Sequence, residues 1–336
     1  MIKYNYPLKK YNTFGIDVRT KKFIRLDNEK QATELFKKGK VCSDSCLILG
    51  GGSNILFTGD YDGTVIQTLF NDIEILEIST DSAIITVGAG LEWDRLVEWA
   101  VKNELGGLEN LSGIPGHTGA APIQNIGAYG TEVSEMINAV HAVSLENGDR
   151  RVYAPEECRF GYRDSIFKNE MKGKYLITRV EFSLSRAHHN IKLSYGNLEQ
   201  EIKGRGQPSL AAVRDAVIRI RNDKLPDPSV TGNAGSFFKN PVLDTDQYAE
   251  LKKKFSDIPS WEQGKGLYKV PAAWLIEKAG WKGRKVGRAA VHHKQALVLV
   301  NLGGAEGNEI LKLSRMITDS VQEVSGIRLS REVSII

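Results

Sequence analysis

Three glycine-dense stretches stand before residue 131: LGGGSNIL at 49–56, VGAGLEW at 87–93 and SGIPGHTGAAPIQNIGAYG at 112–130. The first two follow apolar, strand-like runs, where a dinucleotide-binding βαβ unit would carry G-x-G-x-x-G. Gly50 and Gly52 fit that pattern but Ile55 replaces the last glycine; Gly88 and Gly90 fit but Trp93 replaces it. The third glycine allows a helix and a strand to pack closely, so both matches fail on physical grounds. What the clusters do offer is bare backbone N–H groups in concave turns, which suit anionic oxygens. The third cluster adds the neutral hydrogen-bonding groups of Gln124, Asn125 and Tyr129. Each cluster alone reads slightly better as a hairpin turn; three together point to a large phosphate-bearing cofactor.

The rest of the chain alternates irregularly. DNEKQATELFKKGK is a helix with Asp27 or Asn28 as cap and Gly39 as stop. Trp93, Leu96, Val97, Ala100 and Val101 fall at helical spacing, so LEWDRLVEWAVKNEL is an amphipathic helix. Residues 106–130 read as a long functional loop, or a loop with one helical turn. INAVHAVSLENGDRRVYA carries a hairpin turn at Asn147–Gly148, followed by the strand-like YLITRVEFSL. A helix over SLAAVRDAVIRIRNDKLPDP is capped by Ser209, striped by Val213, Ala216, Val217 and Ile220, and stopped by Pro226 and Pro228. A short helix PAAWLIEKAG, a strand QALVLVN, a long helix ending at Gly326 and a closing strand IRLSREVSII follow. This is an α+β pattern, unlike the regular alternation of a doubly wound sheet.

At 336 residues the chain is suited to two or three domains. With 41% apolar and 26% charged residues it has the composition of a soluble globular protein. No apolar run is long enough to span a bilayer and the N-terminus has no apolar signal core, so a cytoplasmic protein without a membrane partner is expected. The net charge of +4 is dispersed over stretches such as LKKKF and FKKGK, which argues against nucleic acid and suits phosphorylated small molecules. Cys42, Cys46 and Cys158 read as buried free thiols. The pairs His188–His189 and His292–His293, placed on strands, would point to opposite faces, and no metal site is expected.

The stretch TGNAGSFFKNP (231–241) sets Ser236 between glycines and phenylalanines. Alone it reads as a glycine turn leading into an aromatic strand. In order along the chain, however, stand NTFGI, LGGGSNIL, GLENLSGIPGHTGAAPIQNIGAYG, FGYRDSIFK, KLPDP, GNAGSFFKNP, AAWLIEKAG, AVHHKQALVLVN and a terminal EV. Together they closely resemble the UDP-N-acetylenolpyruvoylglucosamine reductase family, from Asn12 to Val333.

That resemblance implies two N-terminal α+β domains with the FAD-binding fold of the vanillyl-alcohol-oxidase type and a C-terminal α+β substrate domain. The expected divisions are 1–70, 71–221 and 222–332, with 333–336 as a strand completing the first. It implies non-covalent FAD, reduced by NADPH, and UDP-N-acetylglucosamine enolpyruvate as the substrate, reduced to UDP-N-acetylmuramate in peptidoglycan precursor synthesis. It places FAD against Gly50, Gly51, Gly52, Ser53 and Asn54, and against Gly116, Gly119, Ala120, Ala121, Gln124, Asn125, Gly127, Ala128, Tyr129 and Gly130. Ala120 and Ala121 stand where some relatives carry hydroxyl residues, so contacts there rest on backbone. Catalysis is assigned to Arg163, Ser236 and Glu332. Arg163 would hold the enolpyruvyl carboxylate by two bonds, Glu332 would donate to the same group, and Ser236 would protonate the second carbon; a helping role for Lys239 comes from its spacing to Ser236 and not from the resemblance. Substrate contacts are assigned to Tyr162, Tyr195, Lys224, Asn240 and Lys282. Tyr195 lies in a segment resembling the loop that one subtype folds over the substrate diphosphate. Ser334 stands where relatives often carry a basic residue. A monomer is expected. Two other readings stay open: a carbohydrate oxidase of the same flavin fold, in which His117 is the only candidate tether in the flavin loops, and a non-catalytic nucleotide-sugar-binding protein.

Overall fold

A computed structural model describes residues 2–39, 45–203 and 207–336. Its contacts divide into two units. The first comprises residues 1–6, 20–51 and 62–223; the second comprises 7–19, 52–61 and 224–336.

The first unit is built on two sheets. A four-stranded sheet runs in the order Ile2–Pro7, Arg19–Leu26, Tyr61–Thr68, Cys46–Ile48. Its last pair is parallel, with Leu47 opposite Val65. Helix α1 (Glu29–Lys37) packs Ala32 and Phe36 with Ile24, Leu26 and Ile66 of this sheet. Asn28 caps α1 by accepting from the Gln31 N–H at 3.0 Å, and Gly39 takes the left-handed conformation beyond its end.

A five-stranded antiparallel sheet follows, in the order Arg150–Tyr153, Ile137–Ser144, Tyr175–Ser185, Ser82–Gly88, Ile73–Ile78. Val180 lies opposite both Val140 and Val87, and all three are fully buried. Over this core lies α2 (Trp93–Lys102), whose buried face is the expected one: Trp93, Leu96, Val97, Ala100 and Val101. Trp93 Nε1 donates to the Leu111 carbonyl at 2.9 Å and fixes the start of the glycine-rich segment. The short α3 (Leu198–Ile202) and the long α4 (Leu210–Lys224) share a separate small core with Val213, Ala216, Val217 and Ile220. Ser209 Oγ accepts from the Ala212 N–H at 3.2 Å, as its capping role requires.

The second unit carries a sheet in the order Gly232–Ser236, Val298–Asn301, Ala289–Val291, Lys285–Val286, and a three-stranded sheet of Val242–Leu243, Tyr268–Lys269 and Trp261–Glu262. Its helices are α5 (Thr245–Lys254), α6 (Ala272–Lys278) and α7 (Gly307–Ser325). α7 buries Ile310, Leu313, Ile317 and Val321 and ends on left-handed Gly326.

Four expectations change. The closing segment is strand only at Ser334–Ile335, which pairs in parallel with Ile55–Leu56. The strand at the Ser236 motif precedes the phenylalanines, ending at Ser236, and Phe237 and Phe238 follow it into the core. Neither histidine pair lies on a strand, and the His292 and His293 rings are 4.5 Å apart on a bend. Cys158 is buried, but Cys46 is only half-buried; Cys42 lies outside the described residues. Burial pushes the Cys158 thiol up to about 12, so it stays protonated and inert.

Candidate active site

The glycine clusters serve different purposes. At 88–90 every N–H is paired: Gly88 donates to Asp72 at 2.9 Å, Ala89 to Thr178 at 2.9 Å and Gly90 to Phe70 at 2.7 Å. A Cβ on Gly88 would lie 2.4 Å from the Phe70 carbonyl oxygen, and one on Gly90 would lie 2.5 Å from that of Thr68. These glycines let two backbone segments touch, and the cluster is removed from the set of anion-binding turns.

The turn at 50–52 is the opposite case. Leu49 still donates to Ile66 at 2.8 Å, but the N–H groups of Gly50, Gly51 and Gly52 make no hydrogen bond among the described residues. Within the first unit, a Cβ on Gly51 would come 3.0 Å from Gly116 Cα, and one on Gly50 would come 3.6 Å from His117 Cβ. The two loops singled out from the sequence therefore lie side by side, and a side chain on Gly51 would crowd the contact. Within the second unit, Gly52 has φ 63° and its carbonyl accepts from the Thr13 N–H at 3.1 Å. Asn12 beside it is buried and bonded to Leu8 and Ile16, so the NTFGI segment acts as a rigid brace. Asn54 Nδ2 donates to the Glu332 carbonyl at 3.3 Å.

In the third cluster, Thr118–Ala120 form a single 3-10 turn. The N–H groups of Ala120 and Ala121 donate to His117 and Thr118, and that of Gly119 donates to Ala89. Asn125 has φ 45° and is almost fully buried. Its amide bridges Glu132 Oε2 at 2.7 Å and Gly161 O at 3.0 Å while its oxygen accepts from the Ser134 N–H, so this side chain ties loops together. Gly127–Ala128 and Thr131–Glu132 form a tight hairpin with Tyr129 and Gly130 at positive φ.

That hairpin holds Arg163. The guanidinium donates to the carbonyls of Asn125, at 3.3 Å, and Gly127. A Cβ on Gly127 would lie 2.8 Å from its Nη1. Arg163 itself has φ 55°, and its guanidinium carbon is 5.5 Å from the Tyr162 ring centroid. The neighbouring Asp164 accepts from Asn169 Nδ2 at 2.9 Å. Tyr195 stands over the same hairpin: its ring is 6.3 Å from that of Tyr129, edge to face, and remains 45% exposed.

Sequence reasoning missed two arginines of α4. Arg214 forms a two-bond pair with Asp94 at 2.7 and 2.8 Å, and Asp94 also accepts from the Gly113 N–H at 2.6 Å. Burial works to raise the Asp94 pKa, but Arg214 and the Gly113 N–H outweigh it and hold the carboxyl below its ordinary value. Arg221 donates from Nε to the Gly113 carbonyl at 3.1 Å, beside Tyr129, and burial pushes its guanidinium below its ordinary value. Burial also raises the Tyr129 phenol. The only signal in sequence was that Arg214 and Arg221 lie seven apart on one helix.

In the second unit, Ser236 ends its strand after left-handed Gly235, whose N–H donates to Asn233 Oδ1 at 3.0 Å. The Glu332 N–H donates to the Phe237 carbonyl at 2.9 Å, and Arg331 bridges Phe238, so Ser236 and Glu332 are carried on adjacent backbone. Asn240 Oδ1 accepts from the Ala272 N–H at 2.9 Å, at the first turn of α6. Lys282 pairs with Glu277 at 3.0 Å, and Lys224 is exposed at the end of α4.

Comparison with known proteins adds the family. Residues 20–152 match the family described as "FAD binding domain", and residues 227–336 match "UDP-N-acetylenolpyruvoylglucosamine reductase, C-terminal domain". The UDP-N-acetylenolpyruvoylglucosamine reductase of Flavobacterium johnsoniae is 43% identical over 100% of this chain and 99% of its own. That of Bacteroides fragilis is 43% identical over 98% and 99%. The crystal structure of the Thermus caldophilus reductase superposes with a TM-score of 0.69 at 25% identity, covering 100% of this chain and 98% of that one. The α+β class and the FAD-binding architecture expected from the sequence hold, and the chain belongs to the UDP-N-acetylenolpyruvoylglucosamine reductase family.

Proposed function

We propose that this chain is the FAD-dependent reductase that converts UDP-N-acetylglucosamine enolpyruvate to UDP-N-acetylmuramate with NADPH, in peptidoglycan precursor synthesis. The observation that carries the reading is identity of 43% over 100% of this chain and 99% of the Flavobacterium johnsoniae reductase. The residues present fit FAD on a structural ground of their own. The turn at Gly50–Gly52 holds three successive N–H groups without an acceptor among the described residues, and a Cβ on Gly51 would crowd Gly116 at 3.0 Å. Such a turn is a cradle for anionic oxygens, which the cofactor's diphosphate provides. Gly50, Gly51, Gly52, Ser53 and Asn54 and the 116–130 segment would hold it.

When bound, the flavin supplies the hydride, taken from NADPH, that adds to the terminal carbon of the enolpyruvyl double bond. The chain supplies everything else. Arg163, oriented by the carbonyls of Asn125 and Gly127, would bind the enolpyruvyl carboxylate and stabilise the negative charge that develops on it. Glu332, protonated, would donate to the same group. Ser236 would give its hydroxyl proton to the second carbon, completing addition of hydride and proton across the bond. Buried Phe237 and Phe238 keep the backbone around that hydroxyl dry. Tyr195 and Tyr162 would close over the nucleotide sugar, with Lys224, Asn240 and Lys282 as further contacts; Asn240 can offer only its amide N–H groups while its oxygen caps α6.

The chain is taken to act as a monomer on a small-molecule substrate. Among the described residues no helix is long and apolar enough to cross a membrane. A nucleotide-linked substrate and NADPH as hydride donor support a cytoplasmic reaction. The test is spectroscopic. Purified protein should be yellow and release its flavin on acid or heat denaturation. NADPH should bleach the flavin, and the enolpyruvyl substrate should restore its colour. Flavin that stays attached to the denatured chain would favour the oxidase reading, and protein that cannot be reconstituted with FAD would sink both.

A further inference from the structure

His117 is the one histidine in the two apposed loops, and the proposed chemistry leaves it without a role. Its backbone is fixed by an antiparallel bridge to Glu92, with the Thr118 N–H donating to Leu91 at 2.8 Å. The base of the ring lies against Gly50, where a Cβ would come 3.6 Å from His117 Cβ and 3.9 Å from Cγ. Nδ1 is sealed from solvent and has no hydrogen-bond partner among the described residues. The ring as a whole is only half-buried, so Nε2 is the nitrogen left on the open side.

This arrangement selects a protonation state. A proton on Nδ1 would be a buried donor without an acceptor, an arrangement that folded proteins avoid. Burial also pushes the His117 pKa down, against a weaker opposing pull from Glu92, which disfavours the doubly protonated ring. The neutral ring with its proton on Nε2 remains. It presents one N–H donor on a ring whose base lies against Gly50, and the N–H groups of Gly50 and Gly51 are unpaired among the described residues. In FAD, the group that needs several converging donors is the diphosphate.

We propose that His117 is a cofactor-binding residue whose Nε2–H donates to the FAD diphosphate, adding a side-chain donor to the glycine turn. The inference rests on the FAD reading above and deepens it. The test compares two substitutions of similar length, His117→Gln, which keeps a terminal N–H donor, and His117→Met, which has none. Apoprotein is titrated with FAD and binding is followed by quenching of flavin fluorescence. The expected result is a dissociation constant about tenfold higher in His117→Met and within about threefold of wild type in His117→Gln, with apoprotein melting temperatures unchanged. In the FAD-loaded proteins, the ³¹P resonances of the bound diphosphate should shift in His117→Met while the visible flavin bands stay in place. If Met binds FAD as tightly as wild type, or if Gln and Met lose affinity equally, the donor role is overturned. Movement of the visible bands with static ³¹P resonances would also overturn it, by placing the contact at the flavin ring. If Met does not fold, His117→Leu takes its place in the comparison. Failure of wild-type apoprotein to bind FAD would instead overturn the reading beneath.

Discussion

A serine hydroxyl is a weak acid in water, so the surroundings of Ser236 decide what it can do. The strand Gly232–Ser236 carries left-handed Gly235 at an irregularity between Asn233 and Ser236, Ser236 then pairs with Val298, and the next two side chains turn into the core. The hydroxyl is left at a half-buried strand end beside the backbone of Glu332. Ser236→Ala removes the donor and adds no bulk, so FAD content and flavin reduction by NADPH should stay within a few-fold of wild type. Reoxidation by the enolpyruvyl substrate should slow by roughly 10²–10⁴, the usual worth of a positioned proton donor. Stopped-flow measurement of the two half-reactions separates the steps, and reoxidation at the wild-type rate would reduce Ser236 to part of a turn. Ser236 and Arg163 can be proposed as site residues from sequence because their motifs are long. Arg221 could not, because two arginines seven apart on a helix also describe a solvated face. Only packing against Gly113 and Tyr129 distinguishes them.

At the scale of elements, helices were easier to read than glycine turns. The stripe of α2 and the Asn28 and Ser209 caps rest on local periodicity and local hydrogen bonds, which sequence spacing carries directly. The glycine clusters looked alike because glycine serves two ends, tight backbone contact and exposed N–H groups, and composition does not say which. Long-range pairing does: at 88–90 the N–H groups meet Asp72, Phe70 and Thr178, while at 50–52 they meet nothing in the described protein. The same limit explains the closing segment, whose strand depends on a partner some 280 positions earlier in the chain (Ser334 against Ile55). Two substitutions should therefore behave differently. Gly88→Ala forces a methyl group to within 2.4 Å of the Phe70 carbonyl oxygen and should cost about 1–3 kcal/mol of stability, visible as a lower melting temperature of the apoprotein. Gly51→Ala meets Gly116 at 3.0 Å, at the loop contact, and should weaken FAD binding by more than it lowers the apoprotein melting temperature. Equal effects of both changes on melting and on FAD affinity would contradict the division of roles.

At the scale of the whole molecule, the chain passes between its two units repeatedly, and the second unit is assembled from three separated segments. The C-terminal family match begins at residue 227, yet that stretch lacks parts of its own core. Phe14 sits edge to face with Phe237 at 6.3 Å and offers its carbonyl to Asn301 Nδ2 at 2.9 Å. Gly232 is glycine because a Cβ there would lie 2.3 Å from that same carbonyl oxygen. Leu56 lies in the strand paired with Ser334–Ile335, and the start of α7 packs so closely on Phe57 that only Gly307 fits. Phe14, Leu56 and Phe57 are all at most 1% exposed. Burying a side chain of this kind contributes roughly 1.5–3 kcal/mol, so the three together supply about as much as the whole net stability of many domains. A fragment of residues 224–336 should therefore show no cooperative thermal transition and no dispersed amide spectrum. A longer product in which residues 7–19 and 52–61 are joined to it through flexible linkers should recover both. Cooperative melting of the short fragment would show that α5, α6, α7 and their sheets hold together without the early segments, and the contacts to Phe14, Leu56 and Phe57 would then be dispensable for folding.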